Sequence, residues 1–250
     1  MALDDFLDVL DEDLGWRKKE ISELFGLCQS QDIEVLRKST LLMIYSHWEG
    51  FIKNAAKSYL SHVSDLKIKL GMLTINYRTI DIKGVISSCS QSQDTLTLSN
   101  ELMFMKNYAK HDSKNFTLDK KYLLEKNKSL INTHDNLSPS VFTNFCCILG
   151  LSEKDAIASK KNYLDESFLG NRNSISHGSK ITFDEDSEFD LSISSIERLK
   201  NIILTIMDKF KDDLQEYAIK EYYLSANEDD KLEYDQTSDS TLKSNLKELS

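Results

Sequence analysis

Apolar residues recur along most of this chain at intervals of three and four, the spacing that lines one side of an α-helix. Phe6, Leu10, Leu14, Ile21 and Leu24 form a first stripe, with acidic residues ahead of it where a helix N-terminus favours negative charge. A second stripe (Leu36, Ile44, Trp48, Phe51, Ala55, Tyr59 and Val63) predicts a helix from about Asp32 to Leu66, roughly 50 Å long at ~1.5 Å per residue. Gly50 interrupts it, at a cost of about 1 kcal/mol that packing can override. Shorter helices are predicted around 99–110 and 118–131. Ser138 as N-cap, Pro139 at the first helical position and Gly150 near the stop bound another. A helix from about Glu153 to His177 is terminated by Gly178. Ser194 and Glu197 form a capping box ahead of a last long helix with Leu199, Ile203, Ile206, Phe210, Leu214 and Tyr217 on one face. Residues 67–100, with "TINYRTIDIKGVISS", fit a strand, a short helix or an inserted loop equally well. From Ser225 the chain turns polar and acidic, and 225–250 is expected to be a disordered tail. The expected architecture is an all-α bundle of long antiparallel helices over residues 1–224.

Composition agrees with long helices: 250 residues hold one proline and eight glycines, enough chain for one large domain or two small ones. No apolar run approaches the ~20 residues needed to cross a bilayer, and the acidic, amphipathic start is unlike a secretory signal. Cys28, Cys89, Cys146 and Cys147 show no CxxC spacing and no partnered histidines. They are expected to be buried thiols in a reducing cytoplasm, not zinc ligands or a disulfide framework. No metal site and no cofactor is indicated.

The net charge of -10 at first argues against a nucleic-acid partner. Its distribution changes that. Residues 1–24 hold eight acids and three bases, residues 225–250 seven and three, which leaves 26 acids against 25 bases between them. Lys106 to Lys128 carries seven lysines and His111 against Asp112, Asp119 and Glu125. Lys106, Lys110, Lys114, Lys120 and Lys121 therefore form a candidate RNA-binding surface, the plainer alternative being a solvated helix face.

The stretch "FLGNRNSISHGSK" (Phe168 to Lys180) concentrates the chemistry. At about 100° per residue, Ile157, Lys161, Leu164, Phe168 and Ile175 fall in one core-facing sector, with Arg172 at its edge. Glu166, Asn173 and His177 fall on the opposite side, and Leu169 is expected to lie exposed between polar neighbours. Such a face calls for a second surface, and a second copy of the same helix would pair two arginines with two histidines. For a phosphodiester, one histidine can take a proton from an attacking hydroxyl while the other gives one to the leaving oxygen. An arginine can neutralise charge growing on the phosphoryl oxygens. Set against this, Arg172 could simply pair with Asp165 or Glu166, and His177 could simply favour the helix C-terminus.

Arg172-Asn173-Ser-Ile-Ser-His177 resembles the motif of the HEPN superfamily of helical RNases and nucleotide-binding domains. "YLDESFLGNRNSISHG" and "LLMIYSHWEGFIKNAAKSYL" (Leu41 to Leu60) are similar to helices of a bacterial HEPN-like nuclease subfamily, and the resemblance spans roughly residues 5–220. It implies a bundle dimerising through the motif helices. It also implies metal-independent RNA cleavage by 2′-hydroxyl attack, leaving a cyclic phosphate and a 5′-hydroxyl, in toxin or antiviral-defence biology. Arg172 and His177 would be the catalytic pair and Asn173 the supporting polar residue, with Glu166 and Asp165 as further supporting residues. An antitoxin or defence-system protein would be a further partner. Some family toxins carry a tyrosine two residues after the histidine, modified by a partner antitoxin; here Ser179 stands there. The alternative is a non-catalytic HEPN-like module binding a nucleotide or a protein. A third arrangement has the acidic tail masking the cleft.

Trp48 is expected in the core, with His47 and Glu49 either surface groups or supports for the motif helix. His62, His111 and His134 have no constellation around them. Tyr108 and Phe116, among the lysines, are expected to pack in the core, although an aromatic there could stack on a base.

Overall fold

The computed structural model describes residues 1–91, 98–125, 129–178 and 189–249. Three long helices make its frame: α1 (Leu3–Gln31), α2 (Glu34–Asp65) and α10 (Ile193–Ile219). Phe6, Leu10, Leu14, Ile21 and Phe25 of α1 face Ile44, Trp48, Phe51, Ala55 and Tyr59 of α2, and all are buried. Ile196, Leu199, Ile203, Ile206, Phe210 and Leu214 of α10 close the triangle. Fully burying each such side chain contributes about 1.5–3 kcal/mol, so the heptad-like stripes of the sequence set the core. Gly50 has a spatial reason. A Cβ there would come within 2.6 Å of the Arg17 guanidinium, which is buried between α1 and α2.

The remaining elements cover one flank of this frame. α3 (Ile75–Gln91) and α4 (Ser99–His111) pack on each other, and a short 3-10 turn at Leu70–Met72 leads into α3. Residues 75–91 are thus helical. Residues 92–97, part of the stretch the sequence left open, lie outside the described residues. Of the helix expected over 118–131, the described residues hold α5 (Lys121–Leu124), and residues 126–128 lie outside them. α6 (Pro139–Leu149) starts and stops as expected: the Ser138 hydroxyl accepts from the Val141 N–H, and Gly150 is left-handed at φ 82. Trp48 stacks on Phe142, and Phe142 meets Phe210 edge to face, with ring centres 5.5 and 5.3 Å apart, joining α6 to α2 and α10.

Two expectations fail here. α10 is capped by Ser192, whose hydroxyl accepts from the Ser195 N–H, in place of a Ser194–Glu197 box. More significantly, the tail is folded. α11 (Glu228–Glu248) docks on α10 and on α7 (Asp155–Ser159). Its apolar anchor is small, chiefly Leu242 and Leu246, which is why composition reads as disorder. Polar groups do the rest. Buried Asp213 of α10 meets Lys154 Nζ and Lys209 Nζ at 3.0 Å each, and accepts from Tyr234 at 2.8 Å and Ser238 at 2.7 Å. Asp235 accepts from the Tyr217 hydroxyl at 2.7 Å and from Lys231 at 3.0 Å. Asp239 caps α7 through the Ala156 N–H.

Cys28 and Cys146 are buried as expected, but Cys147 is exposed and Cys89 half-buried. No helix among the described residues is long and apolar enough to cross a membrane.

Candidate functional site

The motif helix is not the single rod from Glu153 to His177 that periodicity implies. It breaks at Lys160 after α7 and resumes as α8 (Lys161–Tyr163). It then widens into a π-helical segment, Leu164–Gly170, and ends as α9 (Asn171–Ser176). Segments bonded i→i+5 hold more residues per turn, so each residue advances less around the axis. Leu164 and Leu169, five apart, therefore come onto the same side, and Leu169 is 5 % exposed rather than facing solvent. Phe168 packs beside it, its ring 5.7 Å from that of Tyr45 on α2.

The same wide turn sets Arg172 over α2. Its guanidinium carbon stands 3.8 Å above the Tyr45 ring. One Nη donates to Asn173 Oδ1 at 2.6 Å and the other to the backbone carbonyl of Asp135 at 2.7 Å. A cation on an aromatic face is worth about 0.5–2 kcal/mol, and two directed hydrogen bonds fix the fork. Burial pushes the Tyr45 hydroxyl up to about 12, against the opposing effect of the hydrogen bond it accepts from the Leu137 N–H. It stays a neutral phenol. Glu49, one turn along α2, accepts from Thr133 and lies 3.5 Å from Lys53. Thr133 and Asp135 thus fasten the 132–138 loop to both Glu49 and Arg172. His134 and Asp135 are consecutive left-handed residues, at φ 50 and 62.

His177 sits at the other end of α9, exposed, with Gly178 at φ 69 behind it. Among the described residues its imidazole makes no hydrogen bond or ion pair. Arg172 and Asn173 are therefore brought together, and His177 is presented outward from the same helix end. Asp165 and Glu166 are not brought to Arg172: Asp165 pairs with Lys161 at 2.7 Å and Glu166 is exposed. Of the lysines, Lys106, Lys110 and Lys120 stand exposed, Lys114 pairs with Asp81 and Lys121 with Asp119 at 2.9 Å. Phe116 is in the core, whereas Tyr108 is half exposed, contrary to expectation. His47 is buried against α1, not against the motif helix. Its Nε2 lies 3.2 Å from Glu20, and burial, with Arg17 beside it, lowers its pKa.

Two groups that hold Arg172, Tyr45 and the Asp135 carbonyl, lie outside the motif stretch. Tyr45 and Glu49 are i, i+4 on one helix face, a signal that becomes meaningful only once the loop after residue 131 is known to cross it. The Asp135 carbonyl leaves no mark in the sequence at all. Among the described residues no three His, Cys, Asp or Glu side chains converge as a metal would require.

An all-helical bundle with an Arg–Asn pair and an outward histidine at one helix end defines the class. Residues 6–223 match the MAE_28990-like HEPN family, and the chain belongs to it. The matched region stops before α11. No curated protein and no solved structure matches the chain. Membership places it among helical domains that act as nucleases or nucleotide-binding modules.

Proposed function

We propose that this protein is a metal-independent endoribonuclease of the cytoplasm, acting as a toxin or antiviral-defence effector, and that it works as a homodimer through its motif helices. The observation that carries the reading is the contrast within one short helix. Arg172 is held by Tyr45, Asn173 and Asp135, while His177 is exposed without a side-chain partner among the described residues. A fixed cation and an accessible acid–base group are what phosphodiester cleavage by an internal hydroxyl requires. In a two-fold pair, one His177 takes the proton of the ribose 2′-hydroxyl as its oxygen attacks phosphorus. The second His177 protonates the departing 5′-oxygen. Arg172 neutralises the charge on the phosphoryl oxygens, and Asn173 keeps the guanidinium aimed. The products are a 2′,3′-cyclic phosphate and a 5′-hydroxyl. An antitoxin or defence-system protein would control access, by a route other than tyrosine modification at Ser179.

One observation favours the second reading, a non-catalytic module. Both Nη groups of Arg172 already bond within the chain, as a structural arginine would. Cleavage of a mixed cellular RNA pool with EDTA present separates the two. The wild type is expected to cut and leave cyclic-phosphate ends, with His177→Ala at matched oligomeric state losing about 10²–10⁴-fold. No cleavage by either protein, or equal cleavage by both, rejects the nuclease.

A further inference from the structure

A cleft of about 790 Å³ opens between α3 and α6, walled on its third side by the chain from Ser129 to His134. Its size suits a small organic ligand, and its charge sets it apart. The chain carries 41 acidic residues, yet among the described residues no carboxylate lines this cleft. The groove between α1 and α2 has Glu12 and Asp13, and the adjoining hollow, which shares Ile80, Lys83 and Leu130 with the cleft, has Asp81 and Asp119. The hollow beside α11 has Asp230 and Glu233. Only the α3–α6 cleft, of these four, offers a polyanion entry without repulsion from its own walls, with Lys83 as its cation.

The third wall is shared with the motif. Asn132 and His134 line the cleft. Thr133 and Asp135, which alternate with them, bond to Glu49 and Arg172. Since successive Cα atoms are about 3.8 Å apart, the cleft begins one residue away from the carbonyl that holds the arginine. A strand of RNA with its phosphate at Arg172 has this opening beside it.

We infer that the cleft is a base-recognition subsite which accepts one unpaired nucleobase of the RNA next to the cut, an inference that rests on the nuclease reading. Unpaired bases are read by stacking on a ring and by hydrogen bonds to their edges. Ile80 and Ile148 give the cleft an apolar floor, and the exposed Ile75 and His134 side chains stand at its rim. The exposed Asn144 amide, on α6, carries both a donor and an acceptor for a base edge. Lys83 meets the adjoining phosphate. These groups select which base sits beside the scissile bond; they do no chemistry on it.

The test is equilibrium binding of the full-length protein to 2′-O-methyl hexamers of A, C, U or inosine, which lack the attacking hydroxyl. The wild type is expected to favour one base by roughly tenfold or more, with Asn144→Ala reducing the preference to within about twofold. His134→Ala should weaken the favoured hexamer most, and Arg172→Ala all four alike. Equal affinities in the wild type, no binding at all, or a preference that survives Asn144→Ala would overturn the subsite. Unmodified RNA, assayed in parallel, keeps the two readings apart. Cleavage without base preference removes the subsite alone. Base preference dependent on Asn144 without cleavage removes the nuclease and leaves the cleft as a base-binding site.

Discussion

Arg172 stands 3.8 Å above the ring of Tyr45, and the hydroxyl of that tyrosine accepts from the Leu137 N–H at 2.9 Å. One side chain of α2 thus supports the motif arginine with its face and the 132–138 loop with its edge. The loop returns the favour through the Asp135 carbonyl. Motif, core helix and loop are consequently one unit, and the two functions of Tyr45 are separable by substitution. Tyr45→Phe keeps the face and leaves the buried Leu137 N–H unpaired, at about 1–3 kcal/mol of stability, with RNA cleavage near the wild-type rate. Tyr45→Ala removes the support for Arg172 as well, and cleavage is expected to fall about tenfold or more at temperatures where the variant is still folded. Urea unfolding and single-turnover cleavage read the two effects. Equal rates for both variants would show that the ring face does not position the arginine.

The α11 dock is tested at Asp213. Removing this carboxylate leaves the buried Lys154 ammonium with only the Ser238 hydroxyl and no counter-charge, which costs about 3–5 kcal/mol, so Asp213→Ala should unfold at much lower urea than the wild type. Asp213→Asn, which keeps the acceptor for Tyr234 and Ser238, should lose less. Truncation after Asn227 is expected to lower the melting temperature, because Asp239 no longer caps α7 and Leu242 and Leu246 no longer cover the core. A truncated chain as stable as the full one would mean that α11 is not docked in solution.

Stability should also depend on pH through His47. Burial and Arg17 hold its folded pKa below the ordinary 6.5. The unfolded chain then binds the proton first, so the stabilisation is full above about pH 6.5 and is lost as pH falls toward the folded value. His62, lowered by burial beside Met1, acts in the same direction. Melting temperatures taken from pH 7.5 down to 5.5 are expected to drop, and His47→Gln should flatten the drop. An unchanged slope in the variant would assign the pH dependence elsewhere.

The frame was legible in the sequence because α1, α2 and α10 are long and each presents one continuous apolar stripe, from Phe6, Trp48 and Phe210 among others. Ser138, Pro139 and Gly150 bounded α6 by local backbone chemistry alone. Legibility stopped where structure depends on tertiary partners. α11 has too few apolar residues to announce itself, and its docking rests on Asp213 and Asp235, residues that read as surface charge until Lys154 and Tyr217 are found beside them. At the site, Arg172, Asn173 and His177 were visible as a motif. The tyrosine beneath the arginine and the carbonyl beside it belong to other segments of the chain.

Leu169 gives the sharpest contrast between the two descriptions. A regular helix turns it outward, where its replacement by alanine changes stability by less than about 0.5 kcal/mol. The π-helical turn from Leu164 to Gly170 turns it inward, to 5 % exposure, where Leu→Ala is expected to cost about 2–5 kcal/mol. The two outcomes do not overlap, so urea unfolding of Leu169→Ala decides between them. The consequence reaches the site, because the residue that sets the phase of the helix also sets the bearing of Arg172, three positions on. Leu169→Ala should therefore slow cleavage as well as weaken the fold, whereas Glu166→Ala, on the exposed side of the same turn, should leave both unchanged. A silent Leu169→Ala would restore the regular helix and put a leucine on the surface beside His177.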